Sequence, residues 1–567
     1  MRPRGGHHGV AWRVDVSTGA TTTIPLSEDV LRRFVGGVGI GTWLLLREGR
    51  AGLDPLDPAA PFVVSLSPLV GTPLTTSAKF AVVAKSPLTG RIGDALSSDR
   101  FAIELKRCGI DALVLVGRAE SPVSVVVTEG GVRLESAADL RGLPAAEAER
   151  RIQGRLGPAY RTLAIGPAGE RLVRFATVSA DGRHAGRGGL GAVLGSKNVK
   201  AIAAHGERPT PLSDPDAVLA IAKSLSRRSM GPATAKYREL GTVANVLTLN
   251  RLAAMPTRNF SAGTFEGAAE ISGEAFHAGA PSVRKHCAAC TIGCEHVFED
   301  KTGRGVRLEY EGLFALGPLV GVSDRETVLA AAGLCDDLGI DVISAGGTVA
   351  FAMEAAQRGF LAPIVPGEAL PRFGDGASVL RALRAIGERT PGLGDLLAEG
   401  SRRAAARIGQ GAERFAMHVK GLELPGYDPR ALQTLALGYA VAARGSDHNK
   451  SSAYEADLSP ATDRTRADDG KGPLAARSEE RAALLDSLVL CKFLRGVFTD
   501  LDAEAAEMLS AVTGWDVTAE ELVTTSKRIV TAKKLFNVRE GWSRAEDTLP
   551  AQILEEPLRG PTAPRCG

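Results

Sequence analysis

The sequence predicts an α+β protein in which a β-rich N-terminal domain is followed by two mostly α-helical domains. Short apolar segments bounded by glycine and proline fill roughly the first 205 residues. A proline-rich linker follows, and helical periodicity dominates from there to the end. A chain of 567 residues is too long for one hydrophobic core. We therefore expect three domains, at residues 1–207, 208–420 and 421–567.

The N-terminal domain is predicted from short strands. "WRVDVSTGATTTIPL" alternates polar and apolar residues and turns at 17–19, which indicates a β-hairpin. The glycine run at 36–41 does not fit the G-x-G-x-x-G dinucleotide loop, so it is interpreted as close helix packing. Further strand-like segments are "PFVVSLSPL", "FAVVAKSPLTG", "DALVLVGRAE", "PVSVVVTEGGVRLE" and "RTLAIGPAGERLVRFATVSADG".

Helices are predicted for the rest of the chain. The linker at 208–216 ends in Ser213 and Asp214, either of which can cap the helix that follows. Helical periodicity then appears in "DAVLAIAKSLSRR", "ETVLAAAGLCDDLG", "GGTVAFAMEAAQRG", "ERAALLDSLVLCKFL" and "SKRIVTAKKLF".

Composition excludes several classes of protein. A formal net charge of +3 gives no reason to expect nucleic acid or an anionic membrane as a partner. The N-terminus lacks the apolar core of a signal peptide, and aspartates interrupt the apolar segment at 329–356, so no membrane span is expected. Seven cysteines, three of them within eight residues, indicate a metal or redox site rather than a disulfide framework. We expect a cytoplasmic protein, with Cys566 on a tail.

The stretch "KHCAACTIGC" contains a cysteine triplet, Cys287, Cys290 and Cys294, in a Cys-x-x-Cys-x-x-x-Cys pattern. One interpretation is a zinc site with His286 or His296 as the fourth ligand. The other is an iron–sulfur cluster with one remote cysteine. The internal cysteines able to complete such a cluster are Cys108, Cys335 and Cys491.

Two similar segments contain aspartates at matching positions. "DDLGID" has Asp336 and Asp341, and "DSLVLC" begins at Asp486. Carboxylates in two such segments can accept hydrogen bonds from the ring N–H groups of one ligand approached from two sides. The alternative is that both segments are ordinary helix C-termini.

The segment "AGRGGLGAVLGSKNVKAI" favours a phosphorylated ligand. Its glycines expose backbone N–H groups, and basic side chains surround them. The basic candidates are Arg183, Arg187, Lys197 and Lys200.

Over nearly its whole length the chain resembles the tungsten-containing aldehyde:ferredoxin oxidoreductases. The segments that carry the resemblance, in the family's order and spacing, are "AKSPLTG", "IGPAGE", "AGRGGLGAVLGSKNVKAI", "CAACTIGC", "LEYEGLFALG", "DDLGIDVISAGGTVAFAME", "LELPGYDPR", "RGSDH" and "DSLVLCKF".

The resemblance implies the cofactors. The β-rich domain would form the base for a tungsten (or molybdenum) ion held by two pterin dithiolenes, and the helical domains would cover it. The cysteine triplet and Cys491 would hold an adjacent [4Fe–4S] cluster. Arg183 and Gly186 match the phosphate side of the pterin site, where a Mg²⁺ ion bridges the phosphates. The other implied pterin-binding residues are Lys79, Ser97, Asp336, Asp341, Lys450, Asp486 and Leu490.

The resemblance also implies the reaction. Family members oxidise an aldehyde to a carboxylic acid with water as the oxygen source, and the cluster passes electrons singly to ferredoxin or a similar small carrier. Glu311 and His448 match the acidic and imidazole groups beside the metal. A glutamate there can deprotonate water, and a histidine can polarise the carbonyl oxygen. A homodimer, or a complex with electron-transfer subunits, is the expected assembly.

Several positions depart from the family pattern. Lys79 replaces an arginine between cluster and pterin, which removes bidentate bridging. Leu96 begins "LSSD" where the family has Asn-Ser-Gly-Gly, so we expect an altered backbone against the phosphates. Val489 replaces a glycine and is expected to crowd one pterin. Ala330 and Gly333 replace the Glu and His of a subunit-bridging iron site, so no such iron is expected.

Two other functions fit parts of the pattern. A second class of the same superfamily reduces aromatic thioesters at low potential, and it would work in a larger complex without activity on simple aldehydes. A non-catalytic, cluster- or zinc-stabilised scaffold is the third hypothesis, which the retention of all four cysteines and of Glu311 and His448 disfavours.

Overall fold

The computed structural model describes residues 5–558, so Cys566 lies outside the described part. The first sheet is mixed, with strand order β2-β1-β6-β3-β4-β5. Its strands are β1 Val10–Asp15, β2 Ala20–Pro25, β3 Phe62–Ser65, β4 Lys79–Lys85, β5 Ile92–Ser98 and β6 Ala112–Val116. The predicted hairpin is confirmed, because β1 and β2 pair antiparallel around the turn.

A second mixed sheet follows, with strand order β11-β10-β9-β12-β7-β8. Its strands are β7 Val123–Thr128, β8 Gly131–Ser136, β9 Arg161–Ile165, β10 Val178–Ala180, β11 Arg183–Ala185 and β12 Val199–Ala204. The helices of this region are α1 Glu28–Phe34, α2 Gly37–Glu48, α3 Arg100–Arg107, α4 Ala145–Leu156, α5 Pro167–Glu170 and α6 Leu190–Ser196.

The two faces of the first sheet serve different cores, because alternate residues of a strand point to opposite sides. Phe62 and Val64 belong to a core shared with the second sheet and with α3 and α6. Val63 and Val83 belong to a core shared with α2. The glycine run lies at the start of α2, where a side chain at Gly37 would collide with the backbone carbonyl of Asp486. The predicted close helix packing is therefore confirmed.

The middle of the chain is mainly helical. Asp214 caps its first helix by accepting a hydrogen bond from the Ala217 N–H, as the linker predicts. The helices are α7 Pro215–Ser229, α8 Ala235–Glu239, α9 Val246–Arg251, α10 Gly273–Gly279, α11 Tyr310–Leu316, α12 Arg325–Leu338, α13 Val342–Gln357, α14 Gly376–Gly387, α15 Leu393–Leu397 and α16 Ser401–Ile408. A small antiparallel sheet interrupts them, with strands β13 Ser282–Lys285, β14 Glu295–Glu299 and β15 Gly305–Arg307.

The last part of the chain returns to the N-terminal sheets. A two-stranded ribbon, β16 His418–Val419 and β17 Leu422–Glu423, precedes the helices α17 Gln433–Val441, α18 His448–Ser451, α19 Tyr454–Asp457, α20 Lys471–Leu488, α21 Leu501–Thr513, α22 Ala519–Arg539 and α23 Ala551–Glu555. Ile529 and Phe536 of α22 enter the core on the α2 side of the first sheet. The predicted α+β class, β-rich first and helical afterwards, is confirmed. Within residues 5–558, none of the helices combines the length and apolar character that crossing a membrane requires.

Candidate active site

One cavity of about 540 Å³ gathers the residues that the sequence singled out. It lies where strands β4, β5 and β11 meet the ends of α12 and α20. Its lining includes Lys79, Ser97, Arg183, Gly186, Cys287, Cys290, Cys294, Glu311, Asp336, Asp341, His448, Lys450, Asp486, Leu490 and Cys491. A wider groove of about 840 Å³ between α7 and α21 contains none of them.

The cysteine triplet lies in the loop between β13 and β14, and Cys491 follows α20. The loop before β4 makes hydrogen bonds to both the triplet loop and Cys491. The Thr75 hydroxyl lies 2.7 Å from that of Thr291, and the Thr76 N–H donates to the Ala289 carbonyl at 2.5 Å. The Thr76 hydroxyl in turn accepts from the Cys491 N–H at 3.1 Å. One loop of the first sheet thus holds cysteines that are distant in sequence against the same wall.

The other candidates for the fourth ligand differ in their surroundings. His286 is exposed, with Nδ1 3.1 Å from the Cys290 carbonyl oxygen, and His296 is buried against His277. Cys108 and Cys335 are buried in hydrophobic cores. Within the described range, no three His, Cys, Asp or Glu side chains converge on one ion. Cys287, Cys290, Cys294 and Cys491 all line the one cavity, and the kind of metal centre that they hold stays a prediction.

The cysteines need a cationic partner to remain thiolates. Burial and the neighbouring thiols raise the pKa of Cys290 to about 11 and that of Cys294 well above its ordinary value. A bound metal centre deprotonates such thiols. Lys79 lies beside them: burial lowers its pKa, but Cys491 and Cys287 outweigh burial and raise it. Lys79 therefore stays charged next to the cysteines.

The first aspartate segment is a helix end that faces the cavity. Asp336 lies in the last turn of α12, with Oδ1 3.2 Å from Nε2 of His184. The helix ends at Gly339, whose φ of 73° reverses the chain. Asp341 then caps α13 by accepting two backbone N–H groups, and Arg187 Nε donates to its Oδ2 at 3.3 Å. The segment is a helix end, as the alternative interpretation predicts, and it also lines the cavity, while its role in binding a ligand stays a prediction.

The second aspartate segment has the same form. Asp486 accepts from Lys450 Nζ at 2.8 Å, and Lys492 Nζ lies 2.9 Å from its other oxygen. Burial alone would raise the pKa of Asp486, but these two lysines hold it well below its usual range. Val489 ends α20 at φ 55°, a conformation that β-branched residues rarely adopt. Its buried side chain packs toward Gly37 and does not line the cavity. The expected crowding of a pterin by Val489 is therefore wrong.

Arg187 joins three segments of the cavity wall. Besides Asp341, it donates to the Ser446 carbonyl at 2.7 Å and to the Glu423 carbonyl at 2.6 Å. Ser446 belongs to "RGSDHNK", whose Asp447 caps α18 through two backbone N–H groups. Burial alone would raise the pKa of Asp447, but Arg444 and Arg187 hold it well below its usual range. This network fixes the helix that carries His448 and Lys450.

The glycine-rich segment contributes only part of what its sequence predicts. Arg183 is buried, forms an ion pair with Glu295, and its carbonyl accepts from the Ser97 hydroxyl at 3.1 Å. The expectation for Lys197 and Lys200 is wrong, because neither lines the cavity. Because both side chains are buried, their ammonium groups need hydrogen-bond acceptors nearby. Lys197 donates to the Pro58 carbonyl at 2.9 Å, and Lys200 donates to the Glu170 carboxylate at 2.5 Å.

The segment at Leu96 is a regular strand. Leu96 and Ser97 of β5 pair with Ala81 and Phe80 of β4, and Asp99 caps α3 by accepting the Phe101 N–H at 3.0 Å. The loss of two glycines is compatible with this extended backbone, in which no residue needs a positive φ.

Glu311 and His448 form a polar pair in an otherwise buried part of the cavity. Glu311 Oε1 lies 3.1 Å from His448 Nδ1, yet these two atoms are not aligned for a hydrogen bond and have no other partner within residues 5–558. The second oxygen of Glu311 accepts the Gly426 N–H at 3.0 Å. Burial raises the pKa of Glu311 to about 8 and lowers that of His448 to about 4.

The protonation of His448 follows from its other contact. Asn449 Nδ2 lies 2.9 Å from His448 Nε2, so the amide donates and the imidazole proton lies on Nδ1. Sequence reasoning did not single out Asn449, His184 or Asp447, although all three adjoin predicted site residues. It also missed Tyr427 and Tyr454, which line the cavity beside His448, although Tyr427 lies within the quoted segment "LELPGYDPR".

Family models and known proteins match this chain over nearly its whole length. The family model described as "Aldehyde ferredoxin oxidoreductase, N-terminal domain" matches residues 11–206, and that described as "Aldehyde ferredoxin oxidoreductase, domains 2 & 3" matches 220–566. The tungsten-containing aldehyde ferredoxin oxidoreductases of Pyrococcus furiosus and Thermococcus kodakarensis are each 37% identical over 99% of this chain and 93% of their own. The WOR-like subunit of a Pyrococcus furiosus aliphatic sulfonate oxidoreductase is 29% identical over 98% of this chain and 90% of its own.

A solved structure shares the fold. The active site complex BamBC of benzoyl coenzyme A reductase, determined with 1,5-dienoyl-CoA, matches with a TM-score of 0.84 over 99% of this chain and 93% of that chain, at 21% identity. Fold, cavity and relatives together define an oxidoreductase. The chain belongs to the aldehyde ferredoxin oxidoreductase family, as the sequence predicted.

Proposed function

We propose that this protein oxidises an aldehyde to a carboxylic acid, with water as the oxygen source, at a tungsten (or molybdenum) centre held by two pterins. A [4Fe–4S] cluster would carry the electrons to ferredoxin or a similar small carrier. The observation that carries the proposal is the Glu311–His448 pair, whose facing atoms have no hydrogen-bond partner within residues 5–558, in a cavity that also contains four cysteines.

The side chains of the cavity fit these groups. The cysteine triplet and Cys491 would hold the cluster, and Lys79 supplies a cation beside it. The proposed pterin contacts, drawn from two helix ends and one sheet edge, are Ser97, Arg183, Gly186, Asp336, Asp341, Lys450, Asp486 and Leu490. Basic residues among them suit the pterin phosphates, and the phosphate oxygens in turn would be ligands for the bridging Mg²⁺ ion. We keep the domain division at 1–207, 208–420 and 421–567 as part of the proposal.

The residues of the chain supply the proton chemistry. When bound, the metal–pterin centre would accept two electrons from the aldehyde carbon, which side chains cannot do. Glu311, once ionised, takes a proton from the attacking water or the hydrated aldehyde at Oε1. His448 donates its Nδ1 proton to the carbonyl oxygen as a hydrogen bond. Burial excludes bulk water from both groups, which strengthens these contacts.

Electrons leave near the cysteine triplet. Strand β13 is exposed along its length and ends two residues before Cys287. Within residues 5–558, its Arg284 and Lys285 make no ion pair with an acidic side chain. Unpaired cations beside a redox centre steer an acidic carrier protein by charge complementarity. We place the docking site of the carrier on this strand.

Anaerobic purification with metal analysis, followed by an aldehyde panel with a viologen dye as acceptor, tests the proposal. We expect tungsten or molybdenum together with iron, and dye reduction that depends on aldehyde. Iron without either metal, or reduction of an aromatic thioester in place of aldehyde oxidation, would overturn it.

A further inference from the structure

An aromatic cage surrounds the Glu311–His448 pair. The ring of Tyr427 lies 5.2 Å from that of His448, and Tyr454 stacks on Tyr427 at 4.9 Å with 27° between the ring planes. Tyr310 lies 5.6 Å from Tyr427 on another side. All three tyrosines line the cavity. The reacting carbon of a substrate bound next to the Glu311–His448 pair would therefore lie close to these aromatic rings.

Contacts behind the cage hold these rings in place. The Tyr310 hydroxyl donates to the Gly426 carbonyl at 2.5 Å, and Gly426 also binds Glu311. Arg495 Nη2 donates to the Tyr454 hydroxyl at 2.9 Å, and its guanidinium lies 5.8 Å from the centre of that ring. The cage is thus pre-formed, which lowers the entropic cost of binding a rigid ring.

Further apolar and aromatic side chains line the cavity, along with polar ones. The stacked pair Tyr237 and Phe493, with ring centres 4.2 Å apart, lines it, together with Leu249 and Leu458. Ligand sites of this kind combine apolar and aromatic walls with a few polar groups that fix orientation. Here the polar groups include the carboxylate of Glu311 and the imidazole of His448, and Asn449 and Arg495 also line the cavity.

We infer that the preferred substrates are aromatic aldehydes whose ring lies against Tyr427 and Tyr454. This inference rests on the proposed aldehyde oxidation and specifies its substrate class. Aromatic pairs gain attraction beyond the area they bury, equivalent to about two- to tenfold in binding per pair. A short aliphatic aldehyde gains none of it, so the preference appears in the ratio of kcat/KM for the two substrates.

The test compares benzaldehyde with propanal in the wild-type holoenzyme and in three variants. We expect wild type to favour benzaldehyde at least tenfold in kcat/KM, Tyr454→Leu to lower that ratio three- to tenfold, and Tyr454→Phe to preserve it. Tyr160→Leu is the matched control, because the Tyr160 ring lies 5.2 Å from that of His205 and does not line the cavity. A ratio unchanged in Tyr454→Leu, or a wild-type preference for propanal, would overturn the inference.

A binding measurement separates this inference from the proposed function. Calorimetric titration with benzoate and propanoate reports the aromatic site without turnover. Benzoate that binds wild type more tightly than Tyr454→Leu, with no aldehyde oxidised, would support the cage and refute the proposed reaction. Oxidation of both aldehydes, with equal binding of benzoate to both proteins, would refute the cage and leave the reaction standing.

Discussion

Replacement of Glu311 by glutamine should remove the general base and the pH dependence that it causes. Burial raises the pKa of Glu311 to about 8, so at pH 7 only about one molecule in ten carries the ionised form. In the wild-type enzyme kcat/KM should therefore rise about tenfold per pH unit up to about pH 8 and then level off. Glu311→Gln should lose 10²- to 10⁴-fold, the usual contribution of a positioned general base, and show no rise.

The assay is the pH profile of kcat/KM for one aldehyde with a viologen acceptor, at equal metal content. Glu479→Gln is the matched control, because burial also raises the pKa of Glu479 while its side chain lies outside the cavity. We expect its profile to match wild type. A Glu311→Gln enzyme that keeps more than a tenth of the activity, or that keeps the rise toward pH 8, would refute the role given to Glu311.

The same variant has a second readout, in stability. The pKa of Glu311 is raised above its ordinary value of 4.5, so the folded state holds a proton that the unfolded chain releases between about pH 4.5 and 8. Wild-type stability should therefore fall as pH rises through this window, by about 1.4 kcal/mol per pH unit from this group. Glu311→Gln lacks this loss, so it should melt progressively higher than wild type as pH rises from 6 to 8. An inactive variant that is also less stable at pH 8 would indicate misfolding.

Three further changes test other parts of the site. Cys491→Ala should lose the absorbance near 400 nm and the iron of the cluster. Cys335→Ala, at a buried position in the helical core, should retain both. Equal iron content in the two variants would contradict the four-cysteine site. Charge reversal with Arg284→Glu and Lys285→Glu should raise the KM for ferredoxin severalfold and weaken the salt dependence of that KM, while viologen-linked turnover changes little. An unchanged KM would show that ferredoxin does not dock on β13. Arg187→Lys loses the fork that joins three wall segments, so the protein should be destabilised by about 2–4 kcal/mol and hold less tungsten or molybdenum; full metal occupancy would contradict its role.

The sequence was most informative where chemistry demands a rare residue pattern. The cysteine triplet could be read directly, because few structural roles place three thiols so close together. Residue types alone left the fourth ligand open between His286, His296 and three cysteines. The family resemblance points to Cys491, and the Thr75–Thr76 loop, which contacts both Thr291 and Cys491, agrees with it.

The sequence was least informative where function depends on which way a side chain turns. Lys197 and Lys200 belong to a sequence pattern typical of phosphate binding. In the structure, however, Lys197 donates to a backbone carbonyl and Lys200 to a carboxylate, both outside the cavity. Val489 shows the same limit, because its left-handed backbone turns the side chain toward α2 rather than into the cavity. Neither Tyr427, within "LELPGYDPR", nor Tyr454 could be assigned a role from the sequence, since a single aromatic residue is most often part of a hydrophobic core.

The most direct test of the account is the metal content of the anaerobically purified protein, measured beside its aldehyde-dependent dye reduction. The account predicts tungsten or molybdenum in a one-to-one ratio with the chain, about four irons for the cluster, and dye reduction that scales with the tungsten or molybdenum across preparations. A protein that carries the irons but oxidises aldehydes equally well without either metal, or that carries both and oxidises none, would contradict it.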